Sequence, residues 1–423
     1  AAVSRFYFDY EDQEGRNKVV STAFVGYGGI AIVTTLVLLP FTGLMAEHIL
    51  DSRDLIDYFV VAVLTLGVGM VIPIGASYLR VQLKSIQLTV FMFAKTLLTV
   101  GLNIYFLVYA GMGVYGILVA SLIAEALFAV IMTVYVLRQT GFQFDTHMLK
   151  EMVKFGLPLI PSSMSAYVVH ASDRYFIKEF ASMSLTGLYS LGYKLGMLVS
   201  QFVTSPFIQV WNPRRFEHFN RGDAEQIYAR IFTYFVFFSL FVGMQISILS
   251  KDIVQLITTE PFWPAYKVVP IIALSSVIFS FHYHFQVGIV MKKATKYIAY
   301  INLSNAAINL VLNFILIRKY DIWGAAYATL ICFIYKAIVT YYFSNRFYPI
   351  IVEWRRVFTL FLTAGALYFV AIQVETGSIY FNIPLKAAVG CLYVVALYFT
   401  RFFSDAEKAK LKRVIKTRKL EFD

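Results

Sequence analysis

Residues 113–137 read GVYGILVASLIAEALFAVIMTVYVL, an apolar run in which Glu125 is the only charged residue. The hydrocarbon core of a bilayer is about 30 Å thick and needs about 20 such residues in a helix, so this run predicts a transmembrane helix. Eleven further runs have the same character. They lie at 19–43, 57–79, 88–110, 155–172, 185–210, 230–250, 267–290, 296–317, 322–344, 356–373 and 381–400. The sequence therefore predicts an all-α polytopic membrane protein with about twelve transmembrane helices.

The composition agrees with this fold class. Of 423 residues, 59% are hydrophobic and 15% are charged, whereas a soluble protein has about 25% charged residues. Cys332 and Cys391 both lie in apolar runs, so neither predicts a disulfide or a metal site. The sequence contains no nucleotide-binding loop, zinc pattern or Ser-His-Asp order. We therefore predict a protein without a cofactor or bound metal that is not an enzyme.

Lysine and arginine are distributed unevenly between the predicted loops. If the helices alternate and residues 1–18 are cytoplasmic, 26 of the 37 basic residues lie on the cytoplasmic side and 7 on the other. The remaining four, Lys95, Lys194, Lys336 and Lys386, lie inside predicted helices. The excess of positive charge predicts that both ends of the chain face the cytoplasm and that the protein resides in the cytoplasmic (inner) membrane. The net charge of +12 is thus explained without nucleic acid.

An internal repeat relates the two halves of the chain. The octapeptide GILVASLI at 116–123 recurs as GAAYATLI at 324–331, and Leu102-Asn103 recurs as Leu312-Asn313. Chance resemblance between apolar helices is the alternative. The matching segments are six helices apart, an even number, so both copies run in the same direction. This predicts two parallel-repeat lobes of six helices, the arrangement of some transporters.

The repeat also predicts the domain organisation. We expect a first lobe at 1–137, a cytoplasmic amphipathic linker at 138–154, a second lobe at 155–344, a further helix pair at 345–400 and a basic cytoplasmic tail at 401–423. A capping box from Ser404 to Glu407 predicts a helix in the tail, and Pro158 and Pro161 predict a bend in the fifth run. The runs 155–172 and 185–210 have no counterpart in the first lobe, so two more helices are expected before Ala1, fourteen in all.

Residues 153–180, VKFGLPLIPSSMSAYVVHASDRYFIKEF, and 187–217, GLYSLGYKLGMLVSQFVTSPFIQVWNPRRFE, carry a family resemblance. They resemble the polysaccharide flippases (Wzx-type) of the multidrug/oligosaccharidyl-lipid/polysaccharide exporter superfamily, and the likeness extends over nearly the whole chain. The resemblance implies a V-shaped body of two lobes around a central cavity, which works by alternating access. It also implies a polyprenyl-diphosphate-linked oligosaccharide as substrate.

Ionisable side chains inside a membrane are expensive to bury, so each is a candidate functional residue. His170, Asp173 and Arg174 end the fifth run, and their spacings place His170 on the face of the other two. They form either a substrate-binding group or an ion pair at the end of a helix.

Lys194 lies deep in its run, with Tyr189, Tyr193 and Gln201 within two turns. We expect it to face a hydrated cavity, because snorkelling from this depth would need a longer side chain. Lys194 and Arg174 are then the cations that bind the diphosphate.

Lys95 and Glu125 occupy neighbouring runs and either pair with each other or line the same cavity. Lys336 is expected to snorkel towards the interface. The Asn305, Asn309 and Asn313 stripe predicts hydrogen bonds between helices.

A lipid-linked oligosaccharide flippase is the function favoured by these residues, with membrane lipids as partners and no nucleic acid. Coupling to a proton or sodium gradient would depend on Asp173, Glu125 or His170. A cation-coupled small-molecule or multidrug antiporter of the same superfamily is the first alternative. A membrane glycosyltransferase or polymerase, and a non-catalytic scaffold, are the others.

Overall fold

The computed structural model of the chain describes residue 3 and residues 6–157, 160–218, 222–292, 294, 296–400, 402–403 and 407–408. Among these residues every regular element is a helix and none is a strand. The chain divides into two compact units, Ala1–Ile160 and Pro161–Asp423. The predicted all-α fold is confirmed.

The first unit is a bundle in which prolines separate helical segments. Its α-helices are α1 (Gln13–Leu38), α2 (Thr42–Leu50), α3 (Ile56–Gly69), α4 (Ile72–Val81), α5 (Ser85–Ile104), α6 (Gly113–Thr140) and α7 (Thr146–Gly156). Pro40 lies in the 3-10 turn between α1 and α2, and Pro73 lies in the first turn of α4. Proline has no backbone N–H and is tolerated best in a first turn, which accounts for both interruptions. Buried side chains such as Val20 of α1 and Met132 of α6 form the core.

The second unit contains the remaining helices. They are α8 (Ile160–Phe180), α9 (Met183–Gly196), α10 (Ser205–His218), α11 (Ala224–Ile257), α12 (Val269–Phe285), α13 (Val287–Met291), α14 (Lys296–Asn345), α15 (Trp354–Ala371) and α16 (Ile379–Phe399). A π-helical turn, Ser200–Thr204, lies between α9 and α10. Phe237 of α11, Leu360 of α15 and Tyr393 of α16 belong to one buried cluster. The last two helices therefore pack on α11.

The exterior of the helices is apolar, as a bilayer requires. In the described parts of the chain, eight helical stretches are long and apolar enough to span a membrane. On α5, Ile86, Val90, Phe93 and Leu97 are all exposed, which would be a large apolar patch in water but is ordinary in lipid. The chain is a multi-pass membrane protein. Nine of the twelve predicted runs lie in these eight stretches, because α14 contains two of them. The other three runs, 155–172, 185–210 and 356–373, lie in none of the eight. The count of twelve spans therefore stays a prediction.

Two turns show the internal repeat in backbone geometry. Gly111, between α5 and α6, has φ +64°. Asp321, which interrupts α14, has φ +48° and lies 210 residues later. A Cβ on Gly116 would lie 3.2 Å from the carbonyl oxygen of Phe106. A Cβ on Gly324, 208 residues later, would lie against the carbonyl of Leu316, which is 210 residues after Phe106. Each unit thus contains a helix–turn–helix element with a left-handed turn residue and a glycine against the preceding helix.

Glycines bring helices of the second unit into close contact. A Cβ on Gly192 of α9 would lie 2.7 Å from the carbonyl oxygen of Ala265, and one on Gly196 would lie 2.6 Å from the Cβ of Ile272. Both distances are shorter than real Cβ contacts, so these positions accept only glycine without a shift. Gly192 and Gly196 thus allow close helix packing.

Helix α7, which overlaps the predicted linker, is anchored at its start. Asp145 caps it by accepting hydrogen bonds from the backbone N–H groups of His147 and Met148, a standard N-cap arrangement. Lys18 of α1 lies 2.7 Å from the same carboxylate, and its hydrogen bond helps to lower the pKa of Asp145 to about 2. Met148 and Met152 are buried on one side. The helix is therefore amphipathic.

The C-terminal segment after α16 is held by an arginine at the start of α15. Arg356 lies 3.1 Å from Glu353 and 3.1 Å from Glu407, and its guanidinium carbon is 4.5 Å from the centroid of the Phe402 ring. Ser404, most of the predicted tail helix and Pro158 lie outside the described residues.

Candidate functional site

The four lysines inside predicted helices have different surroundings. Lys95 pairs with Glu125, and Lys386 pairs with Asp252. Lys336 is buried, and no carboxylate in the described parts of the chain forms an ion pair with it. Lys194 is exposed. The lysines inside predicted helices thus fall into three groups: paired with a carboxylate, buried without one, or exposed.

Lys95 and Glu125 link α5 to α6 at an open cavity of the first unit. Lys95 Nζ donates a hydrogen bond to Glu125 Oε1, and the two side chains are 21% and 23% exposed. Both line a cavity of about 910 Å³, together with Arg80. Gly69 of α3 faces the carboxylate, where a Cβ would lie 3.2 Å from Oε2. The two alternatives left open by the sequence are both realised, since the pair forms and also lines a cavity.

Asp173 of α8 is enclosed by α9. Its side chain is fully buried, and Tyr189 donates a hydrogen bond from Oη to Asp173 Oδ2 at 2.5 Å. Arg174 Nη1 lies 3.5 Å from Oδ1. Tyr189 is itself fully buried. Both residues therefore make their contacts inside the second unit.

Arg174, His170 and Tyr193 continue the same cluster. The Arg174 guanidinium carbon lies 4.3 Å from the centroid of the Tyr193 ring, a cation–π geometry. Arg174 Nη1 also donates a hydrogen bond to the His170 carbonyl oxygen, and His170 Nδ1 lies 2.7 Å from Tyr193 Oη. The Arg174 side chain remains 27% exposed. The structure thus brings five of the predicted site residues together between α8 and α9.

The asparagine stripe of α14 packs on the same helix α8. Ser172 donates a hydrogen bond to Asn309 Oδ1 at 2.9 Å, and Asn313 Nδ2 donates to Ser172 Oγ at 3.1 Å. Both asparagines are fully buried. The predicted interhelical hydrogen bonds are confirmed at these two positions.

Beside this cluster, a cavity of about 500 Å³ lies within the second unit. Its polar lining comes from several helices and includes His170, Ser200, His282, Gln286, Asn302 and Lys336. Lys336 is 9% exposed, and its Nζ lies 4.9 Å from the centroid of the Phe279 ring. The side chain is buried and ends over an aromatic ring at the cavity. Snorkelling would instead require it to extend to the protein surface.

Lys194 and Gln201 lie on the outer side of their helical stretch. Both are exposed, whereas the adjacent Tyr193 is buried. Helix α9 ends at Gly196, and the π-helical turn containing Gln201 begins at Ser200. The structure therefore separates Lys194 and Gln201 from the enclosed cluster around Asp173.

Sequence reasoning missed Lys336 as a candidate site residue. Its neighbours one turn away in α14, Cys332, Phe333 and Thr340, include no carboxylate that could neutralise it. This absence could have marked Lys336 as a candidate from the sequence.

His284 packs face to face with Trp211, with ring centroids 5.1 Å apart. No group of three potential metal ligands occurs among the described residues.

Comparisons with known proteins place the chain in a family. The model of the family described as "Polysaccharide biosynthesis protein" matches residues 11–265. No curated protein sequence matches the chain significantly.

Several solved structures have the same fold. The lipid II flippase MurJ in an inward closed conformation has a TM-score of 0.74 and 16% identity, covering 95% of this chain and 87% of that chain. An inward-facing multidrug resistance MATE family transporter of the MOP superfamily has a TM-score of 0.62 and 14% identity, covering 82% and 84%. A MOP superfamily transporter from Pyrococcus furiosus, whose binding pocket is described as having reverse polarity, has a TM-score of 0.58 and 14% identity, covering 82% and 81%. At these identities the likeness concerns the fold. Since the family model matches more than half of the sequence, the chain belongs to the polysaccharide biosynthesis protein family.

Proposed function

We propose that the protein is a flippase that moves a polyprenyl-diphosphate-linked oligosaccharide across the cytoplasmic membrane by alternating access. Membership of a polysaccharide biosynthesis family and a multi-pass fold shared with a lipid II flippase support this proposal. The excess of basic residues in alternate loops supports the cytoplasmic membrane and cytoplasmic chain ends.

The observation that carries the proposal is the charge of the cavity in the second unit. Lys336 lines it, and no carboxylate in the described residues pairs with that ammonium. A buried charge without a counter-charge is unfavourable. A negatively charged substrate would supply the missing counter-charge, whereas a cationic drug would add repulsion. The cavity therefore favours an anionic substrate over the cationic drugs that a multidrug antiporter would carry.

Lys194, outside the cluster around Asp173, and Arg174, within it, are each proposed as a ligand of the diphosphate. Lys194 is exposed, so its ammonium is accessible, and Arg174 is partly exposed beside Tyr193. Guanidinium and ammonium groups both bind phosphate oxygens through charge-assisted hydrogen bonds. Tyr193 is proposed to position Arg174, and Gln201 is proposed as a further contact of the substrate. Lys95 and Glu125 are proposed to contact substrate from the cavity of the first unit.

Asp173 is the proposed coupling group. It is a fully buried carboxylate that receives a hydrogen bond from Tyr189 and lies beside Arg174. Binding a proton or a sodium ion would neutralise it and weaken its attraction for Arg174, which also contacts His170. Glu125 and His170 are the other candidates for this role.

Transport in reconstituted vesicles tests the proposal. The full chain is inserted into vesicles that contain a polyprenyl-diphosphate oligosaccharide with a fluorescent label on the sugar, and a membrane-impermeant quencher is added outside. We expect the protein to increase the fraction of label that becomes quenched over time. Vesicles without protein measure spontaneous flipping.

Two further substrates separate the alternatives. A cationic dye tests the antiporter, and a nucleotide sugar added with the lipid acceptor tests the glycosyltransferase or polymerase. Transport of the dye without flipping of the lipid, or elongation of the oligosaccharide, would overturn the proposal.

A further inference from the structure

The cavity beside Lys336 has one feature that the proposed diphosphate ligands leave unused. Its charge is carried by a lysine that is more than nine-tenths buried and faces an open volume of about 500 Å³. Small-molecule pockets have volumes of about 300–1,000 Å³, so the cavity is large enough for a ligand group.

Among the described residues around the cavity, Lys336 is the cation without a counter-charge. Arg174 lies nearby but has a counter-charge in Asp173, at 3.5 Å. Among the described residues Lys336 has no carboxylate partner, and its Nζ lies 4.9 Å from the centroid of the Phe279 ring. A cation–π contact is weaker than an ion pair in a site of low dielectric. The described lining therefore carries a net charge of about +1 when its histidines are neutral.

A net charge of +1 fits a monoanion better than a diphosphate. A diphosphate diester carries two negative charges and would leave one unbalanced in a buried site, where unpaired charge is unfavourable. A carboxylate carries one negative charge, and both of its oxygens can accept hydrogen bonds from an ammonium. The charge of Lys336 alone is therefore sufficient to neutralise a bound carboxylate.

The remaining lining suits a polyhydroxylated ring. Gln286 and Asn302 contribute amides, which both donate and accept hydrogen bonds. His282 has Nδ1 against the carbonyl oxygen of Phe279. Since a carbonyl only accepts, Nδ1 carries the proton, and Nε2 of a neutral ring is an acceptor. Tyr283 adds an aromatic surface for a C–H face of a sugar.

We infer that this cavity is a subsite for a sugar unit that bears one carboxylate, a uronic acid, in the transported oligosaccharide. The inference rests on the proposed function, and it adds that the glycan is acidic and that Lys336 recognises its carboxylate. Lys194 and Arg174 bind the diphosphate elsewhere in the same substrate. The buried lysine lowers the stability of the free protein, and it is retained because the carboxylate of the substrate neutralises it.

Binding of a soluble sugar tests the subsite without transport. The purified full chain in lipid nanodiscs is titrated by calorimetry with methyl glucuronide and, as a matched neutral sugar, methyl glucoside. We expect methyl glucuronide to bind about tenfold or more tightly, because the two differ by a charged hydrogen-bonded group. Sodium acetate and sodium chloride test a simple monoanion. If either binds as tightly as methyl glucuronide, the sugar assignment is overturned.

Lys336→Met removes the charge and keeps the length of the side chain. We expect it to abolish the preference for methyl glucuronide and to raise the melting temperature, since an unpaired buried cation is removed. Lys319→Met, at an exposed position of the same helix, is the matched control and should keep the preference. If Lys336→Met fails to fold, Asn302→Ala should still weaken binding of both sugars. An unchanged preference in the folded Lys336→Met protein would overturn the inference.

The experiments distinguish failure of the flippase proposal from failure of the subsite inference. If neither acidic nor neutral lipid-linked oligosaccharides are flipped although methyl glucuronide binds through Lys336, the flippase proposal falls and the binding subsite stands. If both oligosaccharides are flipped equally and Lys336→Met changes neither, flipping stands and the acidic-sugar subsite falls.

Discussion

Lys386 Nζ lies 2.6 Å from Asp252 Oδ2, and the two side chains are only 2% and 1% exposed. Asn382, one turn before Lys386, donates a hydrogen bond to the other carboxylate oxygen at 3.2 Å. The ion pair is therefore buried, short and supported by a third group, which is the condition under which a buried pair is retained. It joins α16 to α11 inside the second unit.

We predict that Lys386→Met destabilises the protein by ~3–5 kcal/mol, because Asp252 is left as an unpaired buried charge. The free energy of unfolding in detergent, measured by denaturant titration, tests this. The double variant Lys386→Met with Asp252→Leu should recover most of the loss, since two apolar side chains then face each other. A single variant as stable as the wild type would show that the pair contributes nothing.

The Lys95–Glu125 pair should respond differently to the same kind of change. Both side chains are more than a fifth exposed at an open cavity, so water can solvate the partner that remains. We predict that Glu125→Gln changes the free energy of unfolding by only ~0–1 kcal/mol, the usual range for exposed pairs. A loss as large as that of Lys386→Met in the same titration would contradict this prediction.

These two pairs show what could be predicted from the sequence. The apolar runs predicted the helices, because hydrophobic periodicity depends on neighbours along the chain. The left-handed residues Gly111 and Asp321 were found only in the structure. Asp252 lies 134 residues before Lys386, and no local pattern relates them. Whether a lysine is paired depends on such distant contacts.

The candidate site illustrates the same limit. The spacing of His170, Asp173 and Arg174 predicted a common group, and the structure places them together. Lys336 was expected to snorkel, but it ends over Phe279 because α12 and α14 pack against each other. Its burial follows from tertiary packing and so could not be derived from periodicity.

Close packing at Gly196 leads to a third prediction. A Cβ there would lie 2.6 Å from Ile272 Cβ and 2.9 Å from the Ala273 nitrogen. We predict that Gly196→Ala destabilises the protein by ~1–3 kcal/mol, the usual effect of overpacking. Gly365→Ala in α15 is the matched control, since no atom lies within 4 Å of the added Cβ. Thermal unfolding measures both variants. Equal melting temperatures would mean that α9 shifts freely away from α12.

Lys194 gives the fourth prediction. Its side chain is exposed, so Lys194→Ala should change the free energy of unfolding by no more than ~0.5 kcal/mol. As the proposed diphosphate ligand it should nevertheless be needed for flipping, and Lys194→Arg should keep part of the activity because the charge remains. The vesicle assay measures both variants, with the exposed Lys319→Ala as control. Full activity of Lys194→Ala would remove Lys194 from the substrate path, whereas loss of the protein from the membrane would indicate a structural role.

The coupling role of Asp173 gives the last prediction. Asp173→Asn keeps the shape of the side chain and an oxygen that can accept the hydrogen bond of Tyr189, but it removes the charge beside Arg174. An imposed proton or sodium gradient should then no longer accelerate flipping, because the side chain has no charge for the ion to neutralise. Slow equilibration without a gradient should persist. Tyr189→Phe removes the hydrogen bond and keeps the carboxylate, so its response to the gradient should survive. The assay compares flipping rates with and without each gradient for the three proteins. A gradient that still accelerates the Asn variant would transfer the coupling role to Glu125 or His170.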